Sequence, residues 1–273
     1  MPGLARHSLL ALQFFTRIPI TGRLAAWVGF SPSLMRRSAA HFPGVGWVVG
    51  TAAAAVFALL IALLGFGLAA AAVAAVFSTA ASVWLTGAFH EDGLADCADA
   101  LGGSAGRDQA LGIMKDSRIG SYGAVALVLA LALKCALLVL LAERGGFALA
   151  ALALLVAHVL SRLMPLLLMR ALPYVGEAGG SKSKPLADAV SWGGVCAGVA
   201  WTAPALALLG WLLGAGALLA VVALPVLALL YMLRLLRRRL QGFTGDTLGA
   251  TQQVCELAAY LALAINASSR SLW

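Results

Sequence analysis

The chain is predicted to be an all-α polytopic membrane protein, a bundle of about seven transmembrane helices with a cytoplasmic acidic site. Three observations predict it. Of 273 residues, 62% are hydrophobic and only 11% charged, against roughly 25% charge in soluble domains, and the mean hydropathy is +0.95. Several apolar runs reach the about 20 residues that cross a hydrocarbon layer. The basic residues alternate from loop to loop, as topology determinants do.

The first segment, 1–43, carries an apolar stretch at 8–20 that is too short to span and stops at Pro19. It is expected to lie in the interface or to re-enter the bundle. Arg17 and Pro19 follow that stretch with no small-residue cleavage site, so no removable signal peptide is predicted. The spans are then Val45–Leu64, Leu68–Phe89, Tyr122–Ala142, Phe147–Met169, Gly194–Leu213, Ala215–Leu236 and Leu248–Ala267. Gly65-Phe66-Gly67 and Gly214 supply tight breaks between neighbours. Backbone polar groups in lipid must be satisfied within their own segment, which leaves helices as the solution. The last span is interrupted by Gln252, Gln253 and Glu256, so it either spans or lines a cavity as a re-entrant segment. With no internal repeat and no long linker, residues 1–273 are expected to form a single integral membrane domain.

Charge sets the orientation. Arg6, Arg17, Arg23, Arg36, Arg37, Arg107, Lys115, Arg118, Arg170, Lys182, Lys184, Arg234, Arg237, Arg238 and Arg239 fall on one side, and Arg144 and Arg270 on the other. The positive-inside rule places the N-terminus and the loops 90–121, 170–193 and 237–247 in the cytoplasm. A net charge of +8 spread in this way marks topology rather than a nucleic-acid surface. Cys97, Cys135, Cys196 and Cys255 form no CxxC pair, which argues against a disulfide framework or a zinc site.

The informative stretch is His90-Glu91-Asp92-Gly93-Leu94-Ala95-Asp96-Cys97-Ala98-Asp99, within the predicted cytoplasmic catalytic segment 90–121. Six of the eleven acids fall between 91 and 116. On a helix, Asp92, Asp96 and Asp99 at i, i+4 and i+7 share one face within about 60° of arc. Three carboxylates on one face repel unless a cation lies between them, and hard oxygen donors suit Mg²⁺ or Mn²⁺. A charge run is usually a solvated face. Here, however, the residues between the acids are small or apolar, so the acids interrupt a surface otherwise built to pack, and ionisable groups at a membrane boundary face polar cavities.

Glycines follow at 102, 103 and 106, then Met114-Lys115-Asp116-Ser117-Arg118-Ile119-Gly120. Lys115 and Arg118 can hold phosphate oxygens, and Asp116 could complete a metal shell. Acids for metal and cations for phosphate in one loop are what phosphoryl transfer requires. A second polar island, Gly242–Ala250, carries Asp246, placed either to cap the last helix or to join the chemistry. Glu256 would lie roughly 15 Å into its span and needs a partner, with Lys134 and Arg162 the candidates. His158 is expected to be a packed or hydrogen-bonded core histidine rather than a ligand, and Thr16-Arg17 to snorkel to headgroups or reach the site.

The stretches Phe15-Thr16-Arg17-Ile18-Pro19, Phe42-Pro43-Gly44-Val45-Gly46, His90–Asp99, Met114–Gly120, Ser161-Arg162 and Thr244–Ala250 together resemble the cobalamin synthase family, the adenosylcobinamide-GDP ribazoletransferases. They run in the family's order with apolar spans between. One departure is Ala100, where the family often has glycine after the third aspartate. The resemblance implies a multi-pass enzyme of the bacterial inner membrane, its active site facing the cytoplasm. It would join adenosylcobinamide-GDP to α-ribazole or its 5′-phosphate and release GMP, with Mg²⁺ as cofactor. The implied metal ligands are Asp92, Asp96, Asp99 and Asp116, with Asp92 as general base toward the ribazole 3′-hydroxyl. Lys115, Arg118 and Arg162 would take up charge on the leaving GMP, with Arg17 and Asp246 also facing substrate. Partners are then the two substrates and the bilayer, with oligomeric state, a homo-oligomer included, left open.

Two rivals stand beside this reading. A lipid CDP-alcohol phosphotransferase shares the start Asp96-x-x-Asp99 but not the later spacing of acids. A cation transporter would place acids near the membrane midplane on several helices, whereas these cluster at one edge.

Overall fold

A computed structural model describes residues 2–176 and 190–270, so Lys182 and Lys184 lie outside the described residues. The described chain is helical apart from turns and one bridge between Tyr174 and Phe243. In order it forms α1 (Pro2–Phe15), α2 (Gly22–Val28), α3 (Pro32–Ser38), a 3₁₀ turn at Ala39–His41, α4 (Phe42–Leu64), α5 (Leu68–Thr86) and α6 (Phe89–Gly102). These are followed by α7 (Arg107–Ile113), α8 (Ser121–Ser161), α9 (Met164–Ala171), α10 (Trp192–Arg239) and α11 (Gly245–Arg270).

Five helical stretches are long and apolar enough to cross a membrane: Pro32–Leu64, Leu68–Thr86, Ser121–Ala171, Trp192–Arg239 and Gly245–Ala267. Two of them are about twice the length a bilayer needs, and neither is straight. α8 is interrupted at Gly145 and at Gly146, whose φ of 71° is open to glycine. Lys134 and His158, on its two arms, both reach Glu256: Nζ to Oε1 is 2.7 Å and Nδ1 to Oε2 is 3.3 Å. In a straight helix those two residues would lie about 36 Å apart. α8 is therefore a hairpin of two arms. α10 breaks likewise at Gly214, where φ is 78°. A Cβ on Gly210 would meet Leu218 Cδ2 at 3.2 Å, although eight residues of straight helix span about 12 Å.

The arms run between two ends. At one, Arg17 meets Leu85, Arg107 meets Leu240, Arg239 meets Leu101, and Arg170 stacks over Trp192. At the other, Phe66 meets Phe147 and Arg144 donates to the Ala264 carbonyl. α1 lays Leu10, Ala11 and Phe15 into the core at the first end, while α2 and its flank expose Leu24, Trp27 and Phe30. That is the arrangement expected of an interfacial segment.

α5 ends three residues before its predicted limit at Phe89. Gly87 and Ala88 take left-handed φ of 68° and 59°, reversing the chain, and Phe89 opens α6 instead.

Helices in lipid associate through close packing and polar contacts rather than through hydrophobic burial. Gly46 and Gly50, four residues apart on α4, supply the first: a Cβ on Gly46 would lie 2.7 Å from Val159 Cα, and one on Gly50 3.0 Å from Leu155 Cα. α11 supplies the second. It runs from one end to the other as the most enclosed of the five stretches, so Gln252, Gln253 and Glu256 face the bundle interior. Glu256 pairs with Lys134 and His158 and accepts from Tyr260 Oη at 3.1 Å and Gln252 Nε2 at 2.6 Å. Gln253 donates to Gln252 Oε1 and to Glu91 Oε1, both at 3.0 Å. The Lys134 partnership is the one buried charge requires, and His158 is a buried core histidine facing Glu256 and Arg162.

Candidate active site

α6 starts after the reversal at Gly87 and Ala88, and Glu91 and Asp92 in its first turn complement the positive end of the helix. Its register sets Asp92, Asp96 and Asp99 on one face, as predicted. Two glycines seat it on α11. A Cβ on Gly93 would sit 2.6 Å from the Asp246 carbonyl oxygen and 3.0 Å from its Cα; one on Gly249 would sit 3.2 Å from His90 Cα. The pairs 93–246 and 90–249 run in opposite directions, so the helices are antiparallel. This brings Asp246 to the α6 acids.

The field there is negative. Asp96 is half-buried, and its carboxyl is pushed up to about 7, by burial first and then by Asp246, Asp92 and Asp99. Thr244 rather than Asp246 caps α11, and its Oγ1 also donates to Asp246 Oδ2 at 3.4 Å. Thr247 N donates to Thr244 Oγ1 at 3.3 Å, and Thr244 N donates to Thr247 Oγ1 at 2.9 Å, a reciprocal cap. Val175 N donates to the Phe243 carbonyl and Phe243 N to the Pro173 carbonyl, each at 2.9 Å, which fixes the turn that carries Thr244.

Asp99 also reaches the next helix. Its Oδ2 accepts from Gly120 N at 2.7 Å and its Oδ1 from Gly123 N at 2.8 Å. Gly120 at the N-cap of α8 has no side chain to serve those N–H groups; Asp99 does so across the gap. Asp116 is not brought to the cluster face. Arg118 grips it on the surface, Nη2 to Oδ2 at 2.6 Å and Nε to Oδ1 at 2.9 Å, and these bonds hold its carboxyl down to about 2. Lys115 is exposed beside that pair. Arg17 lies over Gly87 at the turn before α6. Arg162 is buried deeper, bonded through Nη1 to His158, with its Nε lacking a partner among the described residues.

The glycine-rich loop is held by two arginines that sequence placed only as topology markers. Arg239 donates to the carbonyls of Leu101, Gly103 and Ala105 at 3.0, 3.0 and 3.1 Å, and Arg107 Nε to Leu240 O at 2.8 Å. Basic side chains on the last carbonyls of a helix are a common termination; here they lock α6 and α10 together behind the acids.

Among the described residues, no three His, Cys, Asp or Glu side chains stand together as a ready-made metal site. The donor chemistry does fit a hard divalent ion: four carboxylates from two helices share one region, and Asp96 is raised by burial first and then by its three acidic neighbours.

The family model described as Cobalamin-5-phosphate synthase matches residues 7–264. The chain belongs to this family. Among similar proteins, the adenosylcobinamide-GDP ribazoletransferase of Polaromonas naphthalenivorans is 57% identical over 272 residues, covering 96% of this chain and 98% of the relative. Those of Leptothrix cholodnii and Shewanella amazonensis are 52% and 43% identical, with 93–94% of each chain covered. No solved structure matches. In this member of the cobalamin-5-phosphate synthase family, the sequence offered Asp246 either as a helix cap or as a residue facing substrate, and the structure sets it within electrostatic reach of Asp92 and Asp96. The signal available was Thr-Gly-Asp-Thr, whose two threonines can cap without the aspartate.

Proposed function

We propose that this chain, by family a transferase of cobalamin biosynthesis, joins adenosylcobinamide-GDP to α-ribazole or its 5′-phosphate and releases GMP. The observation that carries the reading is that Asp92, Asp99 and Asp246 lie within electrostatic reach of Asp96 at one end of an apolar bundle, where burial first and these three acids second raise its carboxyl. The same end carries the described loop arginines, while Arg144 is the cation with a described side chain at the opposite end; the positive-inside rule then favours a cytoplasmic site in a bacterial inner membrane. Taken arm by arm, α4, α5, the two arms of α8, the two of α10 and α11 would make seven crossings.

Asp92, Asp96, Asp99 and Asp246 would hold Mg²⁺, which supplies charge neutralisation at the diphosphate and polarises its phosphorus. This set replaces Asp116 by Asp246, because Asp116 is engaged by Arg118. Lys115 and the Arg118–Asp116 pair border the loop where the guanosine side of the diphosphate would lie, and the two cations take up charge on departing GMP. Asp92 accepts the proton of the ribazole 3′-hydroxyl as that oxygen bonds to the corrinoid-side phosphorus and the phosphorus–oxygen bond to GMP breaks. Asp99, clamped by Gly120 and Gly123, keeps α6 in register during the transfer.

The test is GMP release by purified protein supplied with Mg²⁺ and both substrates. Asp92→Asn should insert and fold yet release no GMP; a near wild-type rate would remove Asp92 from the chemistry. A CDP-alcohol in place of adenosylcobinamide-GDP should yield no CMP, which separates this reading from the lipid phosphotransferase.

A further inference from the structure

Between α1, α3 and the start of α10 lies an open cleft of about 580 Å³. Its walls include His7 of α1, Arg36 and Arg37 in the last turn of α3, His41 of the 3₁₀ turn, and Ser191 and Gly193 at the head of α10. The charge there is positive. Burial first, then Arg37 and Arg6, push the His7 ring below its usual range. Arg37 is exposed and free of any ion pair among the described residues.

The neutral walls add donors. His41 is only 4% exposed; Trp201 Nε1 donates to its Nδ1 at 2.9 Å, and Ser8 Oγ lies 3.2 Å from the same atom. An indole N–H can only donate, so Nδ1 is the bare nitrogen and the proton of the neutral ring sits on Nε2. No described residue accepts from that N–H. Ser191 caps α10 by accepting from Gly194 N at 3.1 Å, which leaves the N–H groups of Trp192 and Gly193 among those a helix start cannot satisfy internally. Gly193 has no side chain to cover its own, and a Cβ there would meet only Ser191 Oγ at 3.8 Å. Two arginines, an imidazole N–H and the positive end of a long helix border one space, and the ligand that chemistry takes is an anion, a phosphate above all.

Exposed aromatic residues mark the height of the cleft. Phe30, 67% exposed, lies three residues before the wall residue Ser33, and Trp192, 65% exposed, adjoins Gly193 with the Arg170 guanidinium 4.8 Å above its ring. Aromatic rings beside basic groups are the pattern of the headgroup layer, and basic pockets between membrane helices hold anionic headgroups. A phosphorylated nucleoside reacting at the α6 acids would not reach so far. α1 carries His7 at the cleft and Phe15 against His90, with 5.7 Å between those ring centres, and His7 and Phe15 are about 12 Å apart along the helix. One ribose, all that separates a 3′-hydroxyl from a 5′-phosphate, is shorter than that.

We propose that this cleft binds the phosphate of an anionic phospholipid, which ties the interfacial segment α1–α3 to the head of α10. The site is separate from the acids of α6 and stands whether or not the transfer reading does.

The experiment uses the full chain in neutral detergent. Its melting temperature is followed against dioctanoyl phosphatidylglycerol, phosphatidylcholine of the same chain length, and ribose 5-phosphate. Phosphatidylglycerol should raise it saturably, and the other two should not. Arg37→Gln should weaken the phosphatidylglycerol titration tenfold or more. So should Gly193→Glu, which sets a carboxylate in the cleft at a helix start, where acids favour folding. Arg23→Gln removes the same charge from exposed α2, outside the cleft, and should stay within twofold of wild type. Equal responses to the two lipids, or equal losses at Arg37 and Arg23, overturn the proposal. Ribose 5-phosphate binding as tightly as phosphatidylglycerol, and through Arg37, overturns the lipid assignment and gives the cleft to a soluble phosphate ester. If one cleft variant fails to insert, the other decides. If both fail, native mass spectrometry of the wild-type chain released from mixed nanodiscs decides: preferential retention of phosphatidylglycerol supports the cleft, and retention in the proportion supplied overturns it.

Discussion

Gly93→Ala tests whether the approach of α6 to α11 creates the active site. The added Cβ would sit 2.6 Å from the Asp246 carbonyl oxygen. That neighbour is backbone, so it cannot rotate aside. Reaching the 3.4 Å of ordinary contact requires the two helices to part by about 0.8 Å, moving Asp246 away from Asp92 and Asp96 together. A misplacement of about 1 Å in an aligned site costs on the order of 10²-fold in rate, which is about 2.7 kcal/mol of barrier. The assay is GMP release under saturating substrates, with helicity and melting followed by circular dichroism to show that the bundle persists. The expected result is a hundredfold loss of kcat in a folded protein. A folded variant within threefold of wild type would show that Asp246 need not stay against α6, and the four-acid site would fall.

Lys134→Met should cost about 3–5 kcal/mol, because Glu256 loses its closest cation inside the bundle; melting in detergent measures it, and Lys134→Met with Glu256→Met should recover most of the loss. Gly46→Ala should destabilise by about 1–3 kcal/mol through its clash with the backbone at His158 and Val159, whereas Gly112→Ala on α7, where a Cβ meets nothing within 4 Å, should be neutral or stabilising by up to about 1 kcal/mol. The raised Asp96 carboxyl keeps its proton below about 7, so a divalent ion must displace that proton in acid. Mg²⁺ affinity by calorimetry should therefore fall about tenfold per pH unit below 7 and level off above it.

The parts legible in sequence are those that local periodicity or burial alone decides. The i, i+4, i+7 spacing of Asp92, Asp96 and Asp99 determines their common face wherever the helix sits. The depth of Glu256 demands a cation, and Lys134 is one of few within reach. The end of α5 was hidden because Ala88 carries no mark of a left-handed backbone, and the turn there is enforced by Arg17 and the α5 carbonyls. Asp246 looked equally suited to capping because its meeting with α6 depends on Gly93 and Gly249, about 150 residues apart.

The polar face of α11 bears on how the chain is built. Its most apolar window has a mean hydropathy of 1.2, against 2.8 for the Ser121–Ala171 stretch. Emerging from the ribosome after Glu91, Lys134 and His158, it meets lipid with Gln252, Gln253 and Glu256 unmatched until it packs against those three residues. Entry of this segment is thus an assembly step rather than a partitioning step, and the same event that lodges it in the bilayer carries Asp246 to the acids of α6.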